Sequence, residues 1–152
     1  MRRLFVWVFV LAASGAAARA ATCSVSGSAA FGHYNSLANQ AMTTQGTIAV
    51  TCTGAVNEVV DFTVTLSPGL GSYSDRTMIS GNATMHYNLY KDPGCSQVWG
   101  DGTSSTGVIA DTMTLTAGSL TRYFTVYSRI SGHQTELTAG AYADSVTVAV
   151  TY

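Results

Sequence analysis

Two stretches of this chain alternate apolar with small or polar residues without a break. A period of two fits a β-strand and little else. From Val59 to Ser67, the residues Val60, Phe62, Val64 and Leu66 fall to one side, and Asp61, Thr63 and Thr65 to the other. From Ser145 to Tyr152, the residues Val146, Val148, Val150 and Tyr152 share one face, and Ser145, Thr147, Ala149 and Thr151 the other. The second stretch runs to the last residue given. A strand with nothing after it to cover or pair its free edge predicts either an aggregation hazard or an assembly site for a partner strand.

No window of 11 or more residues carries the apolar spacing of an amphipathic helix. Thr, Ser, Gly, Val and Tyr dominate, whereas Lys, Glu and Leu are scarce. An all-β fold follows. Besides the two alternating runs, strands are expected at Thr22–Ser26, Ala29–Gly32, Gln45–Thr53, Thr84–Lys91, Thr112–Thr116 and Tyr123–Ile130. The last alternating run is expected to begin at Tyr142. Ser72–Ser80 reads as a polar loop, and Trp99-Gly-Asp-Gly102 as a tight turn. Together these make a sandwich of about seven strands, with no internal repeat or linker.

The amino end sets the compartment. Met1-Arg2-Arg3 is basic, Leu4–Ala13 is apolar, and Ala18-Arg19-Ala20 has the small-x-small form of a cleavage site. Residues 1–20 are therefore expected to be a secretory signal, and 21–152 the domain, starting at Ala21 or Thr22. The apolar run falls short of the roughly 20 residues a bilayer span needs, and no other segment approaches it. No membrane span is expected after cleavage. Losing Arg2, Arg3 and Arg19 lowers Lys+Arg from 7 to 4 against 8 Asp+Glu, a net charge of -4. The four that remain, Arg76, Lys91, Arg122 and Arg129, are scattered, which excludes a nucleic-acid or anionic-lipid footprint.

Export also makes a disulfide the expectation among Cys23, Cys52 and Cys95. Cys23 and Cys52 each sit in an expected strand and are paired here. Spacing alone leaves a bridge from either one to Cys95 open. Cys95, in the turn Asp92-Pro-Gly-Cys95, is then a free thiol or an intermolecular bridge.

Catalytic and metal chemistry find no footing in these residues. His33, His86 and His133 lie in separate segments without ligand spacing. Ser26-Gly-Ser28 lacks the context of a nucleophile elbow. Asp101 between two glycines is a turn former, with calcium ligation as the lesser alternative. No cofactor, metal site or enzymatic activity is expected. Eight tyrosines are many for this length. Core and cross-strand packing accounts for them, while Trp99 and Tyr90 are the candidates for an aromatic surface that stacks on a ligand.

Taken in order, several motifs resemble one family. Cys23-Ser-Val-Ser26 is followed by Phe31-Gly-x-Tyr34, then Gly46-Thr-Ile-Ala-Val-Thr-Cys52. Tyr87-Asn-Leu-Tyr90 leads to Val98-Trp-Gly-Asp-Gly-Thr103, and Val126-Tyr-x-Arg-Ile130 to Gly140-Ala-Tyr-Ala-Asp-Ser-Val-Thr-Val-x-Val-Thr-Tyr152. The pattern is similar to the spore coat protein U domain family, subunits of archaic chaperone–usher pili, and covers nearly the whole mature chain.

The resemblance implies an incomplete immunoglobulin-like sandwich lacking its last strand and completed by a donor strand in trans. The implied partners are a periplasmic chaperone, an outer-membrane usher and sibling pilus subunits, with secretion through the periplasm to a surface pilus. It implies an acceptor groove at Val146, Val148, Val150 and Tyr152 with Ile48 and Val50, and the disulfide Cys23–Cys52. One departure stands out: only Ala21 and Thr22 precede Cys23 in the mature chain, where the family's donor strand would lie. That points to a terminal or tip-proximal unit, a minor secreted relative, or a start codon placed too far downstream. The alternative reading is a monomeric secreted adhesin or carbohydrate-binding module of sandwich fold.

Overall fold

A computed structural model describes residues 20–152; the expected signal segment, apart from Ala20, lies outside the described residues. Eight strands follow in order: β1 Thr22–Ser28, β2 Met42–Thr53, β3 Val59–Leu66, β4 Arg76–Ser80, β5 Ala83–Tyr90, β6 Ile109–Thr114, β7 Ser119–Ile130 and β8 Val148–Thr151. They form a five-stranded sheet, β1-β2-β7-β5-β4, and a three-stranded sheet, β6-β3-β8. Every pairing is antiparallel. The all-β sandwich expected from the sequence is the fold observed.

Alternation places the core. Ile48, Val50 and Cys52 of β2 meet Val60, Phe62, Val64 and Leu66 of β3 between the sheets, and all seven are buried. Met85, Tyr87 and Leu89 of β5 add to the same layer, as do Val126 and Ile130 of β7. Phe62 and Phe124 join the two sheets edge to face, with ring centroids 6.0 Å apart, a favoured aromatic geometry. Cys23 and Cys52 face each other in the β1–β2 register and are bonded. The bridge pins the edge strand β1 to the sheet's longest ladder.

Three segments differ from expectation, each for a local reason. Arg76–Ser80, expected within a polar loop, forms β4, because Arg76 and Met78 point inward and pair across to Tyr87 and Met85. An arginine at an inward position hides the alternation. Ala29–Gly32, expected as a strand, is not one. Its course departs at Gly46, where an added Cβ would run into the Ser28 carbonyl and the Ala29 backbone, so the chain crosses over β2 and leaves the sheet. The expected strand Tyr142–Tyr152 forms ladder pairs only at Val148–Thr151, because β3 ends at Leu66 and beyond it the partners change. Upstream of it, Thr147 exchanges bonds with Ser67, Ser145 N–H is taken by its neighbour Asp144, and Ala143 bridges to Ile79 on β4.

Candidate functional site

An open cleft of about 1070 Å³ runs between the sheets on the side where β1 and β8 approach each other. One wall is the chain leaving β1, Gly27 to Leu37. The other is the approach to β8, Leu137 to Val146, and Val148 closes the rim. Its floor is apolar: Ile48, Leu66, Met85, Leu89, Val126 and Ile130. β8 pairs with β3 along one edge and has no strand on the other among the described residues. The hydrophobic trough therefore reaches, at Val148, a strand with an open edge, the feature to which an added strand pairs.

Both walls touch Tyr87, which lines the cleft with the floor residues. Phe31 packs edge to face on its ring with centroids 5.6 Å apart, and its hydroxyl donates to Asp144 Oδ2 at 2.7 Å. Burial, reinforced by that bond and by the Asp144 charge, pushes the Tyr87 phenol well above the ordinary tyrosine range. Asp144 Oδ1 in turn accepts from Leu70 N–H at 3.1 Å and Ser145 N–H at 2.7 Å. Tyr34 O–H donates to the Ser131 carbonyl at 2.6 Å and ties the first wall to the end of β7.

Below the second wall lies Arg76, fully buried. Its guanidinium donates to Asn88 Oδ1 at 2.6 Å, to the Trp99 carbonyl at 2.8 Å and twice to the Ser67 carbonyl. The Tyr73 ring covers it at 5.4 Å, a cation–π contact. Burial lowers the arginine's pKa, yet four hydrogen bonds to neutral oxygens make the charge tolerable there.

Of the six residues expected to line an acceptor groove, Ile48, Val146 and Val148 come together in the cleft. Val50 lies fully buried in the closed part of the sandwich, and Val150 packs half-buried against the core. Tyr152 is 56% exposed and borders a shallow depression on the small sheet with Asp61 and Thr151. Phe31, Tyr34, Met78, Met85, Tyr87, Leu89, Val126 and Ile130 belong to the cleft but were not assigned to it from sequence. For Met85, Tyr87 and Leu89 the inward alternation was visible; for Phe31, Tyr34 and Met78 it was not. Which stretch of an apolar face stays uncovered was not visible either.

The aromatic surface expected around Trp99 needs correction. Trp99 is 0% exposed, and its indole N–H donates to the Val64 carbonyl at 3.1 Å, so the ring has no face to offer a ligand. Tyr90 is half-buried at the end of β5. Asp101 spends its carboxylate on the Thr103 amide and hydroxyl, as a turn former does. Among the described residues no group of three His, Cys, Asp or Glu is placed to hold a metal ion, and no helix is long and apolar enough to cross a membrane. Cys95 is unbridged, and partial burial pushes its thiol up, which keeps the thiolate scarce at neutral pH.

A two-sheet sandwich with an apolar trough beside a terminal strand's open edge is an incomplete immunoglobulin-like domain. The profile of the Spore Coat Protein U domain family matches residues 8–149, and the chain belongs to that family. No curated protein matches it. Among solved structures it is similar to a chain in the CsuC–CsuE chaperone–tip adhesion subunit pre-assembly complex from the archaic chaperone–usher Csu pili of Acinetobacter baumannii, at 20% identity and a TM-score of 0.57. That match covers 88% of this chain and 40% of the other, so this chain spans about two fifths of its neighbour's length.

Proposed function

We propose that this protein is a non-enzymatic subunit of a secreted surface pilus or coat, assembled by chaperone–usher donor-strand complementation. The observation that carries the reading is the apolar cleft between the chain leaving β1 and the approach to β8, which reaches the open-edged strand β8 at Val148. A strand laid there would gain main-chain bonds from β8 and place alternate side chains over Ile48, Leu89 and Val126. The partners are a periplasmic chaperone, which lends a strand, an outer-membrane usher, and a sibling subunit whose N-terminal strand replaces the lent one. The route runs through the periplasm to the cell surface.

A terminal or tip-proximal place in the fibre is the finer part of this proposal.

The test is thermal melting of the secreted chain with and without an alternating donor peptide from a candidate sibling subunit, alongside co-purification with the chaperone. A large peptide-dependent rise in Tm is expected, since a ligand that binds only the folded state stabilises it by mass action. Val148→Asp, which puts a carboxylate into a desolvated strand interface, is expected to abolish chaperone capture. A Tm indifferent to the peptide together with undiminished capture of Val148→Asp would overturn the reading.

A further inference from the structure

At the start of β1, far along the strand from the cleft, Ala21 N donates to Glu58 Oε1 at 3.1 Å. Glu58 sits in the turn between β2 and β3, and its other oxygen accepts the Ala55 amide at 2.7 Å. No cationic side chain pairs with Glu58 among the described residues. The site is shaped for a close approach: a Cβ on Gly54 would collide with the Glu58 carboxylate and lie 3.1 Å from the Ala21 Cα and Cβ. Ala21 itself is half-buried and packs against the core, whereas Ala20 is exposed. The cysteine bridge holds the same end of the ladder only two residues on.

In the unprocessed chain the Ala21 nitrogen is a peptide amide, and one such bond makes modest use of a half-buried carboxylate. The preceding residues, Ala18-Arg19-Ala20, have the small-x-small form that a signal-removing peptidase cuts. We propose that Glu58 is the receptor for the α-ammonium group released when the chain is cut between Ala20 and Ala21. In that cut water supplies hydroxyl to the Ala20 carbonyl carbon and hydrogen to the Ala21 nitrogen. The new acid then loses a proton and the new amine gains one, leaving an ammonium within hydrogen-bond reach of Oε1. A neutral contact becomes a charge-assisted one in a partly buried place.

The geometry also decides between the two start sites compatible with the sequence. Thr22 already pairs with Thr53 in the ladder, and a chain beginning there would leave the Glu58 pocket empty. Beginning at Ala21 fills it. The docked terminus clamps β1 just before its first residue, at the opposite end from the cleft.

The test uses the complete chain exported with its own signal. Intact mass should place the first residue at Ala21; any other start overturns the proposal. The mature chain then has two amines, its terminus and Lys91, the only lysine. Acylation at neutral pH with an amine-selective acetylating reagent compares them within one molecule. The terminus should react about tenfold more slowly in the folded protein than in urea, because an ammonium paired with a carboxylate holds its proton. Glu58→Gln should recover most of that reactivity.

A two-residue extension before Ala21 supplies the second arm. Glu58→Gln should lower the Tm of the natural mature chain by about 3 °C and leave the extended chain nearly unmoved. Equal acylation in folded and urea-treated protein, or equal Tm losses in both backgrounds, overturns the assignment. These readouts concern the start of β1, so they succeed or fail independently of peptide binding in the cleft at its end.

Discussion

Tyr87 hydrogen-bonds Asp144 across the cleft, its hydroxyl 2.7 Å from Oδ2, and so joins the floor of the trough to the wall leading into β8. The same carboxylate holds the Leu70 amide, so one side chain gathers β5, the β3–β4 connection and the approach to β8. Removing the hydroxyl leaves Asp144 with two main-chain donors but frees the floor. Tyr87→Phe is expected to destabilise the chain by about 1–2 kcal/mol, read as a lower urea midpoint. A midpoint equal to that of the natural chain would show that this bond does not hold the wall.

The same pair sets an alkaline limit. The Tyr87 phenol is raised above its unfolded value, first by burial and then by its bond to Asp144. Below about pH 10 both the folded and unfolded chains keep the proton, and the contribution is complete. Above it the unfolded chain loses the proton while the folded chain retains it, so stability falls as pH rises. Burial also raises Tyr73 and Tyr90, and they add to the slope. Melting curves from pH 9 to 11 should show a steady fall in Tm, shallower in Tyr87→Phe than in the natural chain.

Arg76 tests whether a buried cation is needed where no carboxylate reaches it. Its fork spans the Ser67 and Trp99 carbonyls and Asn88 Oδ1, which ties the β3–β4 and β5–β6 connections together. Arg76→Met removes the charge but strands the Ser67 and Trp99 carbonyls, while Asn88 Oδ1 keeps the Leu89 amide, at an expected cost of about 3 kcal/mol. Arg76→Lys keeps the charge without the planar fork and should fall between the two. A methionine variant as stable as the natural chain would mean that water or local movement satisfies those carbonyls.

Local pattern carried much of this fold. β2, β3, β5 and β7 were legible because each alternates over most of its length, and the Cys23–Cys52 bridge because both cysteines fall in expected strands. β4 was not, since Arg76 occupies a position where alternation calls for an apolar residue, and its reason lies in Asn88 and Trp99, far along the chain. Trp99 was a candidate for an aromatic surface because it stands at a tight Gly-Asp-Gly turn, whereas the ring is buried and bonded to the Val64 carbonyl. The cleft was half legible. Val146 and Val148 announced an open edge, but its floor on β5 and β7 depends on how far β8 runs beside β3, a relation between distant segments.

The bridge itself should be worth more than any single contact named above. It closes a loop of sequence separation 29, for which chain-entropy reasoning gives about 3–4 kcal/mol. Replacing both Cys23 and Cys52 by alanine is expected to lower Tm by about 10 °C. Thiol titration supplies an independent check: one reactive group, Cys95, in the unfolded but unreduced chain, and three after reduction.

Trp99 offers an optical test that also separates the two readings of the chain. If the expected signal is cut away, Trp7 goes with it and Trp99 is the only tryptophan left. Its ring is sealed between β3 and the β5–β6 connection, held by the Val64 carbonyl at 3.1 Å. Emission should therefore lie at short wavelength, resist quenching by acrylamide, and move to the red only on unfolding. Soluble sugars should leave it unchanged, because a ring without a free face cannot stack. Trp99→Phe should cost about 2–4 kcal/mol through the lost bond and the void left behind. Ready quenching of the native emission, or a sugar-dependent shift, would place the ring at the surface and return the carbohydrate-binding reading to the front.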